Sequence, residues 1–547
     1  MQEMAAQSYR APLLWLLIPM ISGYTLGYHL SDISVSILLS LALGSLLGAY
    51  LCNSQPSSQA QQVWWAVFLT IAVSAASLLY FQQSRTFPDI WEELPPREAF
   101  IEIKVKRLYA SIDQDRVSGI GEITKTDNHL TTIYSYPLYF SVEVDGHSIG
   151  RGDRFSARGV LSYLPAKKTP SSFENYLTGQ SIPLTFTRGY LTASPERGNQ
   201  LERTIGSLRE KAISILGIGL EEYGEERSIY LGMMLGIKGE LSAENKRLFL
   251  QTGTLHLFAI SGLHVGIIAV TLASIFLVLR IPRQVSVILG LSLLFVYVEV
   301  TGASPSAVRA FAMTAFFWIG KSIARQMPPF QALVASAVTV LIISPTQLFS
   351  AGFQLSYTVV TGILLWGIPL FQTLRENYYA RIPEKIKHQS RRRKWFNKTW
   401  ELVAGTFSIS LAASLASAPL SIMYFEILAP FAVFLNMVLV PIASLVIISG
   451  LFSILSQLSL LGVLAAFFNH GPLLLIKLTN RLLEQLVSLP NSYTEISWSH
   501  SSLGFITVLL FLTSLLTCHG LRCRKRWLFL FPFAVTFGMI FLNSFLI

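Results

Sequence analysis

Long apolar segments recur along this 547-residue chain, and they constrain its fold more than any other feature. Most of them approach the roughly 20 residues that a helix needs to cross the hydrocarbon core of a bilayer. The composition agrees, because 52% hydrophobic and only 13% charged residues leave too few charges for a soluble surface. We therefore predict a polytopic α-helical membrane protein with about 13 spans. The segments lie at 11–29, 33–51, 63–81, 256–279, 284–300, 307–320, 329–343, 350–371, 402–424, 429–455, 459–478, 503–518 and 527–547.

The character of the chain changes between residues 84 and 198, where charged and apolar residues alternate. From Ile101 to Lys106 every second residue is apolar, which is the pattern of a half-buried strand. Several such stretches, with a turn at Asp145 and Gly146, predict a small barrel or sandwich. The other predicted divisions are N-terminal membrane helices at 1–83, an amphipathic, interfacial helical linker at 199–240, and a second membrane domain at 241–547.

Basic residues predict how the chain is oriented in the membrane. The formal net charge is +11, and much of it falls in gaps that alternate counting assigns to one face. Cytoplasmic loops carry such an excess of Lys and Arg. We therefore expect the N-terminus in the cytoplasm, the β domain outside it, and Ile547 outside. The gaps contain Arg280 with Arg283, Lys321 with Arg325, the stretch from Arg375 to Lys398, and the stretch from Arg522 to Arg526.

The sequence contains none of the common catalytic, metal or nucleotide signatures. Gly320 to Ser322 look like the end of a phosphate-binding loop, but Ala315 occupies the position where that loop has a glycine. The three cysteines offer neither a disulfide framework nor a zinc spacing. We expect a protein that is not an enzyme and has no cofactor or metal site, in which a partner or an ion gradient powers any uphill transport.

Small and polar residues interrupt three of the later apolar segments, at 251–266, 301–306 and 344–356. A broken helix at membrane depth is tolerated only where its exposed backbone is buried in protein or lines a wet cavity. By the charge count all three breaks face the side of the β domain. The breaks predict a polar path, although small residues and Ser or Thr also serve as ordinary helix-packing groups.

Arg309, about one turn inside the segment that follows the second break, is the strongest single candidate. An arginine within the membrane is costly unless it pairs or meets water, so it is a functional candidate by default. We expect Glu299, across the same break, to be its partner, and both a structural salt bridge and a substrate contact stay open. For His256 and His264, a hydrogen-bonded interior position is as plausible as a binding role.

The motif from Leu257 to Gly266 resembles the Ser-Gly-Leu-His-Val signature of the ComEC family, the inner-membrane DNA channels of natural competence. The β region resembles the extracellular OB-type module of the same family, at Gly152 to Phe155 and at Ser172 to Leu177. The resemblance therefore covers almost the whole chain. Supporting matches follow in the family's order at Thr301 to Ala310, at Leu348 to Ser356, and at Asn436 with Pro441.

This resemblance implies both a fold and a function. The fold is a polytopic channel with an inserted small all-β, OB-like extracytoplasmic domain, and 241–547 is its competence-type transmembrane channel domain. The function is translocation of single-stranded DNA across the cell inner membrane into the cytoplasm during transformation. The implied partners are single-stranded DNA, the lipid bilayer, a cytoplasmic helicase-type motor and a periplasmic DNA receptor.

One departure from the family concerns the nuclease. Family members commonly continue into a metallo-β-lactamase-like domain that is recognised by a His-x-His-x-Asp-His metal cluster. None of the nine histidines here is arranged in that way. The expectation is a channel without its own nuclease, which leaves that role to a separate protein.

The resemblance and the polar residues of the breaks together nominate DNA contacts. A path for single-stranded DNA needs cations and hydrogen-bonding groups for phosphates, and aromatic faces such as Phe258, Phe353 and Tyr357 for bases. In the β domain, solvated surface charge is the alternative for each basic residue, because the domain has no net-basic footprint. The conduit candidates are His256, Ser261, Gly262, His264, Thr301, Ser304, Arg309, Gln354 and Asn436. The β-domain candidates are Lys104, Lys106, Arg107, Arg151, Arg154 and Arg158.

Two other functions fit the same residues. A transporter of a small anionic or lipid-linked solute would also use broken helices, with Arg309 holding the anionic group. A membrane hydrolase would use Ser261 with His264, which are proper residue types but lack an identified orienting acid.

Overall fold

The computed structural model describes residues 11–30, 33–53, 59–85, 95–109, 115–126, 133–147, 149–164, 173–180, 182–237, 242–258, 260–323, 327–381, 391–458, 462–488, 493–520 and 530–546. Arg325, residues 382–390 and the stretch from Arg522 to Arg526, which contribute to the predicted orientation, lie outside the described residues.

The N-terminal helices pack as a group formed by α1 (Leu14–His29), α2 (Val35–Asn53) and α3 (Gln59–Arg85). Helix α3 lies against both α1 and α2. Gly23 lets α1 and α3 approach closely, because a side-chain carbon there would overlap the carbonyl oxygen of Ser74. Small residues at a helix crossing are typical of membrane helices.

The described part of the polar region forms a closed five-stranded barrel in the order β1-β2-β3-β5-β4. Strands β3 and β5 are parallel, and the other neighbours are antiparallel. A short helix, α4 (Phe173–Thr178), precedes β5. Ile101, Ile103 and Val105 point into the barrel and are at most 1% exposed, as their alternation predicts. The strands are β1 (Arg97–Tyr109), β2 (Arg116–Thr126), β3 (Pro137–Glu143), β4 (Arg154–Tyr163) and β5 (Leu184–Leu191).

Helices α5 (Gln200–Gly217) and α6 (Gly224–Leu235) connect the barrel to the later membrane helices. Helix α5 begins with a capping box, in which Asn199 and Glu202 satisfy each other's backbone N–H groups. Within the predicted linker at 199–240, every residue of α6 from Ile229 to Leu235 is buried. The linker region therefore enters the packed helical body at α6.

The remaining helices lie in the region predicted as the second membrane domain. Helix α12 runs into α13 through a π-helical turn at Ile363–Gly367. A short ribbon pairs β6 (Ile427–Leu428) with β7 (Thr494–Glu495). The helices are α7 (Ala243–Gln251), α8 (Gly262–Val278), α9 (Arg283–Val300), α10 (Pro305–Ser322), α11 (Pro329–Ile343), α12 (Ala351–Gly362), α13 (Ile368–Ala380), α14 (Arg391–Phe425), α15 (Ala432–Leu458), α16 (Gly462–Val487), α17 (Ser501–Gly520) and α18 (Phe531–Leu546).

Among the described residues, six helices are long and apolar enough to cross a membrane. Within the described residues, each segment that the sequence predicts as a span contains a helix or overlaps one. The chain is therefore a multi-pass α-helical membrane protein with an inserted small, OB-like barrel, and this predicted fold class is confirmed. The number of spans and their orientation stay predictions. The six helices lie at Val35–Cys52, Ala60–Ser84, Arg283–Val300, Ala351–Ala380, Arg391–Phe425 and Ala432–Gln457.

Clusters of buried apolar side chains hold the helices together. One cluster joins α6, α8, α9, α10, α15 and α16, and another joins α1 and α3 to α11, α12, α14 and α17. In the second cluster the Tyr24 hydroxyl donates to the carbonyl oxygen of Leu341 at 3.1 Å. The rings of Tyr28 and Phe349 stack with centroids 4.3 Å apart. The N-terminal helices are thus anchored beside the third break.

Candidate functional site

Each break contains a serine that directly precedes the next helix: Ser261 before α8, Ser304 before α10 and Ser350 before α12. Ser304 Oγ accepts from the N–H of Ala307, and Ser350 Oγ accepts from the N–H of Phe353, both at 3.3 Å. Helix α10 packs against α8 and α12, and α9 and α11 return the chain between them. The breaks therefore place three neighbouring helix N-termini, which carry partial positive charge, on one side of the bundle.

Ser261 and His264 form a reciprocal cap at the start of α8. Ser261 Oγ accepts from the backbone N–H of His264, and His264 Nδ1 accepts from the backbone N–H of Ser261 at 3.3 Å. Ser261 Oγ also lies 2.9 Å from the same ring nitrogen. This is a capping box in which histidine replaces the usual Glu or Gln. His264 is fully buried, and its Nε2 has no hydrogen-bond partner among the described residues.

Arg309 is buried and held by neutral oxygen atoms. The residue is 3% exposed, and its Nη2 donates to the carbonyl oxygen of Gly352 at 2.8 Å and to Ser356 Oγ at 3.0 Å. Gly352 leaves room for the guanidinium group, since a Cβ there would lie 3.1 Å from Nη2. In the described part of the chain, Nε is buried without a hydrogen-bond partner. Both acceptors of Arg309 are neutral, so they leave its positive charge unbalanced.

The predicted pair between Glu299 and Arg309 is wrong. Glu299 instead meets Arg151 of the barrel, with 2.9 Å between Nη1 and Oε2, and Arg151 also donates to the Glu299 carbonyl oxygen at 3.2 Å. Glu299 lies in the last turn of α9, which faces the barrel, whereas Arg309 lies in α10 and reaches α12. The turn between α9 and α10 separates the two side chains, so the acid holds the barrel rather than the buried arginine.

The barrel rests on this turn between α9 and α10. Thr301 is buried there, and its hydroxyl donates to the carbonyl oxygen of Val298 at 2.9 Å. Gly302 and Ala303 take positive φ angles of 85° and 47°, which bend the chain sharply. Arg107 of β1 donates to the carbonyl oxygen of Ala303 at 3.5 Å. Arginines of the barrel thus dock at a helix C-terminus, where free carbonyl groups and the helix dipole favour cations.

The remaining conduit candidates differ in how they are held. Gln354 packs the third break, because its Nε2 donates to a backbone carbonyl at 3.0 Å and its Oε1 accepts from the Tyr424 hydroxyl at 3.0 Å. His256 is exposed before α8, with Nδ1 3.2 Å from the Gly253 carbonyl oxygen. Asn436 is 9% exposed on α15, and its Oδ1 has no hydrogen-bond partner among the described residues.

The structure places some of these candidates side by side on α8, α10 and α12, which we call the row, and it leaves others apart. A Cβ at Gly262 would lie 3.6 Å from the Cβ of Ala310, which is the neighbour of Arg309, and Arg309 reaches Gly352 on α12. Helices α8, α10 and α12 therefore meet at this level. Asn436 lies on α15, which packs against α8. His256 lies outside the row, in the loop that leads into α8.

Several basic residues predicted in the barrel already hold acidic partners. Lys106 holds the pKa of its partner Glu122 below the usual range through a charged hydrogen bond. Arg154 is exposed on β4. These residues stay predicted DNA contacts, although much of their charge is balanced within the protein. The pairs are Lys104 with Glu202 at 2.9 Å, Lys106 with Glu122 at 2.7 Å and Arg158 with Glu98 at 3.1 Å.

The sequence interpretation missed the partners of both arginines. Gly352 and Ser356 are small residues four apart on one helix face, which is a signal that could have nominated them as partners for Arg309. No local sequence pattern predicts the pair of Arg151 and Glu299, because 148 residues separate the two side chains in the chain.

Comparison with known proteins adds independent findings. A family model described as Competence protein matches residues 233–521. The chain is 28% identical over 332 residues to ComE operon protein 3 of Bacillus subtilis, which covers 60% of this chain and 39% of that protein. It is 27% identical over 270 residues to the uncharacterized protein YcaI of Escherichia coli, covering 45% and 34%. It is 23% identical over 270 residues to Recombination protein 2 of Haemophilus influenzae, covering 48% and 31%.

Each match covers only part of the relative's length. The chain spans less than two-fifths of the length of each of these three proteins. No solved structure matches it.

Proposed function

Because the chain belongs to the Competence protein family, we propose that it is a membrane channel that carries single-stranded DNA into the cytoplasm during natural transformation. Family membership supports a role in DNA uptake. The geometry of Arg309 is the observation that carries the more specific proposal.

Arg309 supports an anionic substrate because of the way it is held. A charged side chain at the centre of a membrane helix costs about 2.5–3.5 kcal/mol unless it pairs or meets water. The partners of Arg309 on α12 are neutral, and its Nε has no hydrogen-bond partner among the described residues. The neighbouring helix N-termini add positive potential at the same level. A phosphate group is the anion that a guanidinium group and helix N-termini both favour.

The barrel would receive the strand, and the three breaks would form the conduit. We place the barrel outside the cytoplasm and the N-terminus inside it, in a cell inner membrane. A periplasmic DNA receptor would deliver the strand to the barrel, and a cytoplasmic helicase-type motor would pull it through. The chain itself would conduct DNA without catalysis or a cofactor, and a separate nuclease would degrade the other strand.

Uptake of labelled DNA in the cell that encodes this chain tests the proposal. Deleting the gene is expected to abolish entry of DNA into the cytoplasm, while binding of DNA at the outer surface continues. Complementation with the Gly44→Ala variant is the matched control, because nothing lies within 4 Å of a Cβ at that glycine, which lies on α2 away from the breaks. Normal transformation in the deletion strain would contradict the proposal.

A transporter of a small anionic or lipid-linked solute is the second candidate, since a buried Arg309 with neutral partners suits an anionic headgroup equally well. The two functions differ in what the Arg309→Ala variant changes. Loss of DNA entry with an unchanged lipid composition favours the DNA channel. A changed membrane composition in a host that does not take up DNA favours the transporter.

The distance of 2.9 Å between Ser261 Oγ and His264 Nδ1 is also within reach for a nucleophile and its base. We favour the capping role, because both residues satisfy backbone N–H groups at the start of α8. A fluorophosphonate probe is therefore expected to leave the purified protein unlabelled. Labelling that disappears in the Ser261→Ala variant would favour a hydrolase.

A further inference from the structure

Four aromatic side chains gather on one surface of the barrel: Tyr109 of β1, Tyr139 of β3, and Phe173 and Tyr176 of α4. We call them the barrel aromatic cluster. The Phe173 ring centroid lies 6.2 Å from that of Tyr109 and 5.2 Å from that of Tyr139, both nearly edge to face. The rings of Phe173 and Tyr176 are 5.9 Å apart and within 20° of parallel. The sequence motif from Ser172 to Leu177 contains the two α4 rings, and the conduit described above gives them no role.

Packing explains only half of the cluster. Tyr109 and Tyr139 pack on a small core, and Leu177 on the inner side of α4 belongs to the same core. Phe173 and Tyr176 lie on the other side and are 50% and 41% exposed. The core does not require two large aromatic rings at these exposed positions.

The cluster lies close to the turn that carries the barrel. Arg107 is two residues before Tyr109 on β1, and it reaches the carbonyl oxygen of Ala303 just before α10. Burial raises the pKa of Tyr109, and the side chains of Tyr176 and Arg107 act on the same phenol group. The end of β1 therefore places the cluster beside this turn and its arginine.

We propose that the barrel aromatic cluster binds unpaired nucleobases of single-stranded DNA by stacking on Phe173 and Tyr176, a role that rests on the proposed function. Aromatic rings on small barrels bind bases in this way, and every base has a face that can stack. Arg107 lies beside the rings and provides positive charge for the phosphates between successive bases. The strand thus meets aromatic faces on the barrel before it reaches Arg309.

Binding of two oligomers to the full-length protein in detergent tests this role. One is oligo-thymidylate, and the other is an abasic strand of the same length, which has the same phosphates but no bases. Phe173→Leu and Tyr176→Leu keep an apolar side chain and remove the ring. Each is expected to weaken binding of oligo-thymidylate by about 5- to 150-fold, the range of one stacked base, and to leave binding of the abasic strand unchanged.

Phe100→Leu is the matched control variant. Phe100 is 43% exposed on β1, nine residues from Tyr109 and so roughly 30 Å away along the strand. It is expected to leave binding of both oligomers unchanged. Thermal unfolding of each variant shows whether the fold is kept.

The outcomes separate this role from the proposed function. If the unsubstituted protein binds oligo-thymidylate more tightly than the abasic strand, and the cluster variants lose the difference, base stacking is supported. If it binds both strands equally and the variants change nothing, stacking is overturned while DNA binding stands. If it binds neither strand, the stacking role and the proposed function both fail.

The membrane surface is the competing occupant of exposed aromatic rings. The Phe173→Trp variant distinguishes the two, with Phe100→Trp as the reference and the unsubstituted protein, which has ten tryptophans, as the background. In nanodiscs, the fluorescence that Phe173→Trp adds to this background is expected to be quenched by oligo-thymidylate and not by brominated lipid. Quenching by brominated lipid alone would overturn the stacking role and assign the cluster to the lipid surface.

Discussion

Two arginines at different levels of this protein show two ways of holding a positive charge. Arg151 joins the barrel to the turn before α10, where it meets the Glu299 carboxylate and the carbonyl end of α9. Arg309 lies beyond that turn and meets neutral oxygen atoms near three helix N-termini. A helix C-terminus favours a cation, and a helix N-terminus opposes one.

This difference in charge balance indicates which of the two arginines has a functional role. The charge of Arg151 is balanced by protein groups, so its contacts explain why it is there: it docks the barrel. Among the described residues, the contacts of Arg309 do not balance its charge, and an unbalanced cation in a low-dielectric environment is unfavourable until an anion or water reaches it. The comparison therefore separates a structural arginine from the functional candidate.

The largest expected effect is on Arg309. The Arg309→Met variant keeps an apolar chain of similar length, so the protein is expected to fold and reach the membrane at its normal level. Without the cation, entry of DNA is expected to fall at least about 100-fold, which corresponds to about 2.7 kcal/mol. Transformation frequency and an immunoblot of membranes measure the two quantities. Arg309→Lys is expected to retain part of the activity, and full activity of Arg309→Met would show that the charge is unnecessary.

A smaller effect is expected when the arginine is displaced rather than removed. In the Gly352→Ala variant the new Cβ would lie 3.1 Å from Arg309 Nη2, so the guanidinium group must shift from Ser356. Entry of DNA is expected to fall about 10-fold, or about 1.4 kcal/mol. Gly44→Ala on α2, which meets open space, is expected to have no effect on uptake. Equal effects of the two substitutions would mean that the position of Arg309 is unimportant.

At the other arginine, a double-mutant cycle measures how strongly the barrel is docked. The side chains of Arg151 and Glu299 are 33% and 19% exposed, so solvent screens part of their attraction. Thermal unfolding of Arg151→Gln, Glu299→Gln and the double variant is expected to give a coupling energy of about 1 kcal/mol. A coupling energy near zero would remove the docking role from this pair. The same cycle with Arg309 in place of Arg151 is expected to show no coupling to Glu299.

The smallest effect is expected on the barrel surface. Lys106 lowers the pKa of Glu122 in the folded protein, so this pair stabilises the barrel above the usual carboxyl pKa of 4.5 and loses its effect as the pH falls through the lowered value. The Lys106→Ala variant is expected to lower the free energy of unfolding by less than about 1 kcal/mol at pH 7. Hydrogen exchange of β1 and β2 in the Lys106→Ala variant and in the unsubstituted protein, at pH 7 and at pH 3, measures this loss of stability. A loss of stability that persists at pH 3 would mean that the ion pair is not its cause.

The fold was largely predictable from local patterns, and the site was not. The alternation from Ile101 to Val105 predicts strand β1, and the apolar segments predict helices, because both depend on neighbours in the sequence. Positions of breaks were predictable for the same reason. Ser261, Ser304 and Ser350 each sit at a helix start.

The pairing of charges depends on contacts far apart in the chain. Glu299 is ten residues from Arg309, and proximity in sequence suggested a pair. The turn at Gly302 and Ala303 instead directs the two side chains to different neighbours. The partner of Glu299 is a barrel residue that lies 148 residues earlier in the sequence, and no local pattern predicts that contact.

Cross-linking of a stalled DNA strand shows whether the strand passes Arg309. The three native cysteines are first replaced by serine, and a single cysteine is introduced by Ser356→Cys, beside Arg309, or by Val270→Cys, which is 68% exposed on α8. A strand with a thiol-reactive backbone group and a bulky end is then taken up until it stops. A conduit at Arg309 predicts cross-linking at position 356 and none at position 270. Uptake of the strand without any cross-link at position 356 would contradict it.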